Sequence, residues 1–370
     1  CYPTFGGSGV MATELGMSLV NHGHEVHFIA YKKPVRLTDL NQNLHFHKVN
    51  VPDYPLFSFV PYELALSTKL VDVVKNNSID VLHVHYAIPH AYAAYMAKKM
   101  LKEQSINIPI VTTLHGTDIT LVGNHPSYKT AVTFSINKSD IVTCVSQSLK
   151  EDTLDQFDIK KEIIVIPNFI DISKYIIQQD LCLHENPIPA KEFIISHVSN
   201  FRPVKNVTNV IKIFYNIQKQ LKAQLLMIGE GPEKSVAEDL CKELGISHLV
   251  KFLGNTNQVE KNLCHSDLFL LPSSAESFGL AALEAMASKV AVISSNAGGL
   301  PEINIDGETG YVEDFDNIDE MSKKAISILS SKEQLDSFKN KAFLKAKEYD
   351  INNLVPLYEK TYQMALDSIK

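Results

Sequence analysis

The 370-residue chain contains no tryptophan, only two arginines and no long apolar run. No uninterrupted apolar stretch approaches the ~18 residues of a membrane-spanning helix, and no secretory signal is visible. The net charge of -7 argues against non-specific binding to nucleic acid. The sequence thus predicts no nucleic-acid partner and no stable membrane association, while a homo-oligomer stays compatible with it.

Cysteines are few and unclustered: Cys1, Cys144, Cys182, Cys241 and Cys264. None lies in a C-x-x-C pair, and an odd count does not suit a closed set of bridges. This pattern favours a reducing, cytoplasmic compartment and argues against a disulfide framework or a zinc site. Because the chain starts at Cys1 and not at Met, part of the native N-terminus is expected to be missing.

Apolar β-rich runs alternate with helical patterns along the chain, which predicts an α/β fold of parallel sheets with helices on both faces. Strands are expected at 25–30, 80–85, 109–115, 140–145, 162–167, 193–198, 223–228, 250–253, 267–271 and 290–294. Helices are expected at 9–21, 61–76, 89–103, 146–157, 206–221, 232–244 and 278–287, and the tail from about 317 is helical by pattern.

An irregular stretch at 171–191, with Pro187 and Pro189, separates two halves of this alternation. We interpret it as an interdomain region. Two Rossmann-like parallel-sheet domains would then face a cleft, with ligands at the carboxyl ends of their strands.

The most informative motif is Glu276-Ser277-Phe278-Gly279-Leu280 followed by Glu284. An apolar strand leads into it, Gly279 permits close approach of the backbone to a ligand, and a helix runs on from there. A helix N-terminus offers unpaired N–H groups and partial positive charge, which suits a phosphate. Two carboxylates eight residues apart could hold sugar hydroxyls beside it, although a solvated surface helix is an equal alternative on spacing alone.

A second cluster, Ser199–Asn206, follows a predicted strand and opens a helix. Arg202 and Lys205 lie three residues apart there, beside free helix N–H groups. Because the chain has only two arginines, Arg202 is a candidate for bidentate anion recognition. The pair suits a diphosphate leaving group, whose developing charge must be neutralised.

Three motifs in the first half have weaker signals. Gly6-Gly7-Ser8-Gly9 opens the first helix, where Ser8 could cap it, and the spacing is not that of a dinucleotide site. His115 ends a strand before a glycine and could bind a sugar hydroxyl or relay a proton. His83 and His85 share one strand face, which superficially suggests a metal, but without a third ligand at close spacing a structural role is favoured.

Five motifs together resemble, in type and order, those of the retaining GT-B glycosyltransferases of family 4. They are Gly6-Gly7-Ser8-Gly9, His115, Arg202 with Lys205, Gly229-Glu230-Gly231, and Glu276 with Glu284. The resemblance covers nearly the whole chain. Residues 1–9 and 114–120 are similar to the members that transfer N-acetylglucosamine from UDP-GlcNAc to L-malate, the first step of bacillithiol synthesis. Such members have a strand before the segment equivalent to Cys1, so the first strand is expected to be missing.

The resemblance implies a domain assignment: residues 1–170 on the acceptor side, 192–345 binding the nucleotide sugar, and 346–370 as a C-terminal helix packing back on the N-terminal domain. It also implies reaction with retention at the anomeric carbon, without cofactor or metal. The implied donor contacts are Arg202 and Lys205 on the diphosphate, Glu284 on the ribose, Glu276 on the donor sugar, His115 near the reacting centre, and Gly7, Ser8, Asn200, Phe278, Gly279 and Leu280 around sugar and phosphate.

The acceptor pocket is less defined. Malate carries two carboxylates, so its pocket should be rich in donors or cations; the candidates are Ser8, Tyr86, Thr112 and Thr117, with Lys129 in addition. Three alternatives remain open: a family 4 transferase with another acceptor, a GT-B-fold UDP-GlcNAc epimerase, and a sensor that binds UDP-GlcNAc without turnover. Incubation with UDP-GlcNAc, with and without L-malate, separates them.

Overall fold

The computed structural model describes residues 1–370 apart from residues 5, 38–41, 54, 56–58 and 185–191. The strands are β1 Val26–Ala30, β2 Leu44–Lys48, β3 Leu82–His85, β4 Ile110–Leu114, β5 Ile141–Cys144, β6 Ile163–Val165, β7 Phe193–Val198, β8 Ala223–Ile228, β9 Val250–Gly254, β10 Leu268–Leu271, β11 Ala291–Ser295 and β12 Gly310–Glu313.

The helices are α1 Gly7–Asn21, α2 Tyr62–Asn76, α3 Tyr92–Lys102, α4 Pro126–Lys138, α5 Gln147–Gln156, α6 Ile172–His184, α7 Val207–Gln218, α8 Lys234–Glu243, α9 Val259–Leu263, α10 Leu280–Ala287, α11 Leu300–Ile303, α12 Ile318–Ser330, α13 Lys332–Glu348 and α14 Ile351–Asp367. Helices alternate with strands from β2 to α12, α1 precedes β1, and α13 and α14 follow at the end of the chain. Short helical turns lie at Ala87–Ala91, Thr117–Leu121, Pro203–Lys205 and Ser247–Leu249.

The chain divides into two compact units. Unit 1 comprises Cys1–Asn168 together with Ile351–Lys370, and unit 2 comprises Phe169–Asp350. Helix α14 therefore belongs to unit 1, where it packs on α1, β4 and β5.

Unit 1 contains a parallel four-stranded sheet in the order β3-β4-β5-β6 and a separate parallel pair, β1-β2. Every residue of β4 is buried, as expected for a parallel strand covered by helices on both faces. Helices α2 and α3 pack into its core through Leu66, Leu70 and Leu101. Because β3 and β4 are parallel neighbours, the loops that follow them lie side by side at the same edge of the sheet.

Unit 2 contains a parallel six-stranded sheet in the order β12-β11-β10-β7-β8-β9. The interior strands β10 and β11 are buried throughout. The core is built from α7, α12 and α13 against the sheet, with Phe214, Leu270 and Ile293 fully buried. Because β7 and β10 are parallel neighbours, the loops that follow them emerge together.

The expected elements are present, with ends shifted by a few residues, and some were not predicted. Strand β2 was missed because His45, His47 and Lys48 obscure its apolar signal. The expectation that 171–191 is irregular is wrong for its first part, since α6 occupies Ile172–His184 with Tyr175 buried on its inner face. Residues 185–191, with both prolines, lie outside the described residues.

The inference against disulfides is also wrong for one pair. Cys182 on α6 and Cys264 at the end of α9 form a disulfide. Their 82-residue separation gives no local signal, and they meet because α6 packs against α9. Among the helices of the described residues, none has the length and apolar character needed to cross a membrane.

Candidate active site

In unit 2 the loop after β7 is joined to the loop after β10. Asn206 Nδ2 donates to the Pro272 carbonyl over 2.9 Å, and the Ser274 N–H donates to the Val204 carbonyl over 2.8 Å. Asn206 itself has a positive φ of 49° and begins α7. The backbone thus fixes the predicted diphosphate loop against the segment that carries Glu276.

Lys205 and Glu276 form an ion pair at this junction. Each side chain is 17% exposed, so the pair is partly shielded from water but reachable by a ligand. Arg202 lies on the same loop and is exposed. The structure therefore brings three of the predicted site residues onto two adjoining loops, and Arg202 is the exposed member.

Backbone contacts hold Glu276 in place. Its carbonyl accepts a hydrogen bond from the Gly299 N–H over 3.0 Å. Gly298 has a φ of 54°, and a Cβ there would lie 1.9 Å from the same carbonyl oxygen. Only glycine fits at this approach, so the turn before α11 is shaped by the position of Glu276.

The N-terminus of α10 depends on Gly279. This residue has a φ of 97°, and a Cβ would meet Leu300 Cδ2 at 2.5 Å. Phe278 is 3% exposed and its ring packs edge-on against Tyr349. The Phe278 side chain thus belongs to the core, and Phe278 can contact a ligand through its backbone. Helix α10 starts at Leu280, two residues later than expected, and leaves its first N–H groups at the loop surface.

Glu284 lies on α10 and is 6% exposed. It follows Leu280 by about one helical turn, or roughly 6 Å along the axis. Glu276 precedes the helix and Glu284 lies within it, as the sequence predicts. A hydrogen-bonding carboxylate at this depth suits ligand hydroxyls rather than a mobile surface charge.

Asn200 is exposed, and two glycines pack closely against the backbone of the loop that carries it. A Cβ on Gly229 would lie 1.8 Å from the Ser199 carbonyl oxygen, and one on Gly231 would lie 2.0 Å from the Asn200 carbonyl oxygen. The Gly229-Glu230-Gly231 turn therefore has a structural reason for both glycines: it seats the loop that leads to Arg202.

In unit 1 the hydroxyls of Ser8, Tyr86 and Thr117 converge. Ser8 Oγ and the Tyr86 hydroxyl are 2.7 Å apart, and the Tyr86 hydroxyl is also hydrogen-bonded to the Thr117 side chain. Burial raises the pKa of Tyr86 to about 12, so its hydroxyl is neutral and able to donate. Gly7, one residue before Ser8, is exposed at the start of α1.

His115 lies beside this hydroxyl group. Its Nε2 is 2.8 Å from His85 Nδ1, and its ring centroid is 5.3 Å from that of Tyr86. Burial lowers the pKa of His115 to about 3. His115 is therefore neutral at physiological pH, and it suits a hydrogen-bond partner of a sugar hydroxyl better than a general base, which works best with a pKa near the working pH.

Asp118 organises the loops that carry His115 and Tyr86. It is 2% exposed and accepts backbone N–H bonds from Ala87 over 2.8 Å, Gly116 over 3.1 Å and His115 over 3.3 Å. Burial raises its pKa to about 6 in spite of these bonds. Asp118 and His85 were not among the predicted site residues; the signals available were that His85 precedes Tyr86 at the end of β3 and that Asp118 follows Gly116 by two residues after β4.

Two expectations for unit 1 need correction, and a third, for Lys129, stays a prediction. Thr112 is fully buried and its hydroxyl is 2.7 Å from Ser139 Oγ, so it is not available to an acceptor. Ser8 does not cap α1; Gly6 is the capping residue, without a side-chain bond. Lys129 is exposed on α4, with its ammonium 5.6 Å from the Phe157 ring centroid, and no described contact links it to the Ser8 group.

Within the described residues two clusters have ligand atoms close enough for a metal ion: Cys182 with Cys264 and His265, and Glu25 with His27 and His45. Neither includes a residue of the predicted site. His83 and His85 do share a face, with ring centroids 4.5 Å apart, but His83 Nδ1 is 2.8 Å from the Tyr362 hydroxyl and its Nε2 2.8 Å from Thr113 Oγ1.

Two family models match the chain. "Glycosyltransferase Family 4" matches residues 5–174, and "Glycosyl transferases group 1" matches residues 180–345. Together they span both units.

Curated relatives agree with these models. The chain is 45% identical over 334 residues to N-acetyl-alpha-D-glucosaminyl L-malate synthase of Bacillus anthracis, covering 90% of this chain and 87% of that protein. It is 23% identical over 345 residues to the phosphatidylinositol N-acetylglucosaminyltransferase GPI3 subunit of Saccharomyces cerevisiae, covering 90% of this chain and 74% of that protein.

Solved structures identify the fold. A sucrose-phosphate synthase from Thermosynechococcus elongatus matches with a TM-score of 0.80 at 18% identity, covering 99% of this chain and 95% of that one. Anabaena HepE in complex with UDP matches with a TM-score of 0.77 at 18% identity, covering 98% and 97%. The chain has the GT-B fold of two parallel-sheet α/β domains, as the sequence predicts.

Proposed function

The chain belongs to the family 4 glycosyltransferases, and from this premise we propose that it transfers N-acetylglucosamine from UDP-GlcNAc to the hydroxyl of L-malate, with retention at the anomeric carbon. The observation that carries the proposal is the 45% identity over 90% of the chain to a relative with that activity in its name. The product would enter bacillithiol synthesis.

We assign donor binding to unit 2. Arg202 and Lys205 neutralise the diphosphate, with Arg202 offering a planar fork for two phosphate oxygens. The first N–H groups of α10, around Phe278 to Leu280, add donors and the positive end of the helix dipole. The joined loops after β7 and β10 support this assignment, because they hold these groups on one rigid surface.

The two glutamates take the hydroxyls of the donor. Glu284 accepts from the ribose, and Glu276 accepts from the donor sugar. The ion pair between Lys205 and Glu276 supports this arrangement, since it orients the carboxylate before substrate arrives. A diphosphate then competes with Glu276 for Lys205 and leaves the carboxylate free for a sugar hydroxyl.

We assign the acceptor side to unit 1. Ser8, Tyr86 and Thr117 present hydroxyl donors to the malate carboxylates, and neutral His115 contacts the donor sugar near the anomeric carbon. Gly7 and Asn200 offer backbone and amide groups to the donor. The short Ser8–Tyr86 contact supports a preformed donor set, although malate would also need charge neutralisation from a group outside it.

The proposed transfer of N-acetylglucosamine uses no metal ion. The malate hydroxyl oxygen forms a bond to the anomeric carbon on the face from which UDP departs, and the bond from that carbon to the phosphate oxygen breaks. The proton of the malate hydroxyl passes to the leaving phosphate oxygen. Arg202 and Lys205 stabilise the charge that develops on the diphosphate.

We place this reaction in the cytoplasm. The low cysteine content supports this location, whereas the Cys182–Cys264 disulfide argues against it.

The test is incubation of the chain with UDP-GlcNAc, with and without L-malate, followed by mass analysis of the products. Malate-dependent UDP release with a GlcNAc–malate adduct supports the proposal. A new UDP-sugar without acceptor indicates an epimerase, and tight UDP-GlcNAc binding without products indicates a sensor. Either result overturns it.

A further inference from the structure

Glu25, His27, His45 and His47 lie on one face of the β1–β2 pair, away from the residues assigned to the reaction. The strands are parallel, with His27 directly opposite His45. Residues two apart on a strand share a face, so Glu25 lies beside His27 and His47 beside His45. Four side chains of two metal-binding types, one carboxylate and three imidazoles, therefore share a small patch of a two-stranded sheet.

One carboxylate oxygen lies close to the Nε2 atoms of two imidazoles in this patch, and it is hydrogen-bonded to the first of them, His27. Glu25 Oε1 is 3.0 Å from His27 Nε2 and 3.0 Å from His45 Nε2. The His27 and His45 rings are stacked, with centroids 4.4 Å apart. In a tetrahedral zinc site with bonds of about 2.0–2.1 Å, donor atoms are about 3.3 Å from one another, so these atoms need only small movements to surround an ion.

His47 fixes the orientation of His27. Its Nε2 is 2.9 Å from His27 Nδ1, and the two rings are nearly parallel. This contact occupies Nδ1 and turns Nε2 of His27 toward Glu25. Metal-binding histidines are held in the same way, by a hydrogen bond at the nitrogen that does not bind the ion.

We propose that Glu25, His27 and His45 bind a divalent transition-metal ion of the zinc class, with His47 as a positioning residue. Two imidazoles and one carboxylate suit Zn²⁺, Ni²⁺ or Cu²⁺, whereas Mg²⁺ and Ca²⁺ prefer oxygen ligands throughout. Water completes the fourth position. The bound ion ties the start of β1 to β2, so its effect is on the stability of unit 1.

The test uses the full chain after chelator treatment and dialysis. The background is Cys182→Ser with Cys264→Ser, because reduction of the Cys182–Cys264 disulfide would free two thiolates beside His265. In this background zinc has one expected site. Calorimetric titration should give one Zn²⁺ per chain and no heat with Mg²⁺, and zinc should raise Tm because it binds only the folded state. X-ray absorption of the zinc form should show nitrogen and oxygen neighbours at about 2.0–2.1 Å and no sulfur shell.

Glu25→Gln and His45→Gln are the decisive variants, since both side chains are partly exposed and their replacement leaves the fold intact. Each should weaken zinc binding at least tenfold. His248→Gln is the control, because His248 is exposed on another element and its removal should change nothing. Absence of zinc uptake, or uptake unchanged in both variants, overturns the proposal and leaves the patch as hydrogen bonds between imidazoles and a carboxylate.

Discussion

At the scale of single residues, Arg202 and Lys205 have the same charge but different surroundings. Lys205 is paired with Glu276 and is 17% exposed. Arg202 is exposed at the loop surface, where a guanidinium adds little to the stability of the fold. The contribution of Arg202 should therefore appear in turnover and not in melting.

We expect Arg202→Ala to lower turnover about a hundredfold or more, since loss of one contact that stabilises developing charge costs roughly 3 kcal/mol. Tm should change little. Arg202→Lys should lose less, because it keeps the charge and gives up the fork, and Lys212→Ala, an exposed cation on α7, is the matched control. UDP release measured at saturating UDP-GlcNAc and malate checks this, and near-normal turnover in Arg202→Ala would remove Arg202 from the diphosphate.

At the scale of elements, the start of α10 depends on one glycine. Gly279 combines a φ of 97° with a site where a Cβ would meet Leu300 Cδ2 at 2.5 Å. Gly245, after α8, has a φ of 72° with nothing within 4 Å of a Cβ. Both glycines have a positive φ, but only at Gly279 would a Cβ clash with a neighbour. Comparing alanine variants at the two positions therefore separates the free-energy cost of the backbone conformation from the cost of the clash.

We expect Gly245→Ala to cost about 1–2 kcal/mol, the penalty for a left-handed non-glycine residue. Gly279→Ala should cost more, because Leu300 must move, and it should also weaken UDP binding by displacing the N–H groups of α10. Urea unfolding and UDP titration of both variants check this. Equal destabilisation, with UDP affinity retained, would show that the α10 start does not need this close approach.

The sequence predicts where the candidate turn residues lie because their signals are local. Arg202, Lys205 and Glu276 follow apolar strands, and a strand end before a helix is visible in a short window. The contacts between distant segments were not visible. Ser8 meets Tyr86 across 78 residues and His85 meets His115 across 30 residues, so their pairing depends on strand order, which periodicity does not give.

Thr112 shows the same limit within one strand. Successive side chains of β4 point to opposite faces, and the sequence does not reveal which face approaches a ligand. Both Thr112 and Thr113 are fully buried, the first against Ser139 and the second against Thr143. Because parallel strands are covered on both faces, a polar residue inside one is more often a packing partner than a ligand contact.

At the scale of the whole molecule, buried histidines should make stability depend on pH. Burial lowers the pKa of His47 and, more strongly, the pKa of five other histidines: His83, His85, His90, His115 and His197. In the unfolded chain each titrates near 6.5, whereas the folded values for His83 and His115 are about 3. Their contribution is complete above pH 6.5 and is lost as the pH falls toward 3, because only the unfolded chain takes up protons in that window.

Asp118 acts in the opposite sense. Burial raises its pKa to about 6 from 3.8, so the folded chain holds a proton that the unfolded chain lacks between those values, and folding gains stability there as the pH falls. Five histidines outweigh one carboxyl group. We expect the free energy of unfolding to drop between pH 7.5 and pH 5, by up to about 1.4 kcal/mol per pH unit for each histidine, and the urea midpoint to fall with it. A constant or rising midpoint would contradict this account.

Turnover should survive chelation. Charge on the diphosphate is neutralised by Arg202, Lys205 and the N-terminus of α10, and neither metal-capable cluster in the described residues includes them. UDP release after EDTA treatment and dialysis should stay near its starting value, while Tm falls if the zinc site of unit 1 is emptied. Complete loss of turnover, restored by Mg²⁺ or Mn²⁺, would mean that the reaction itself needs a metal.

Recognition of the acceptor depends on the whole pocket, because the two carboxylates and the hydroxyl of malate must be bound together. L-malate has two carboxylates and a hydroxyl, and lactate keeps the hydroxyl with one carboxylate. A pocket with donors for both carboxylates should reject lactate by a few kcal/mol, roughly a hundredfold or more in kcat/KM, because some buried donors are then left unpaired. UDP release from UDP-GlcNAc should therefore be far faster with malate than with lactate, glycerol or simple sugars. Comparable rates with malate and lactate would remove the second carboxylate from the recognition and favour a broader acceptor, while the UDP-sugar chemistry would stand.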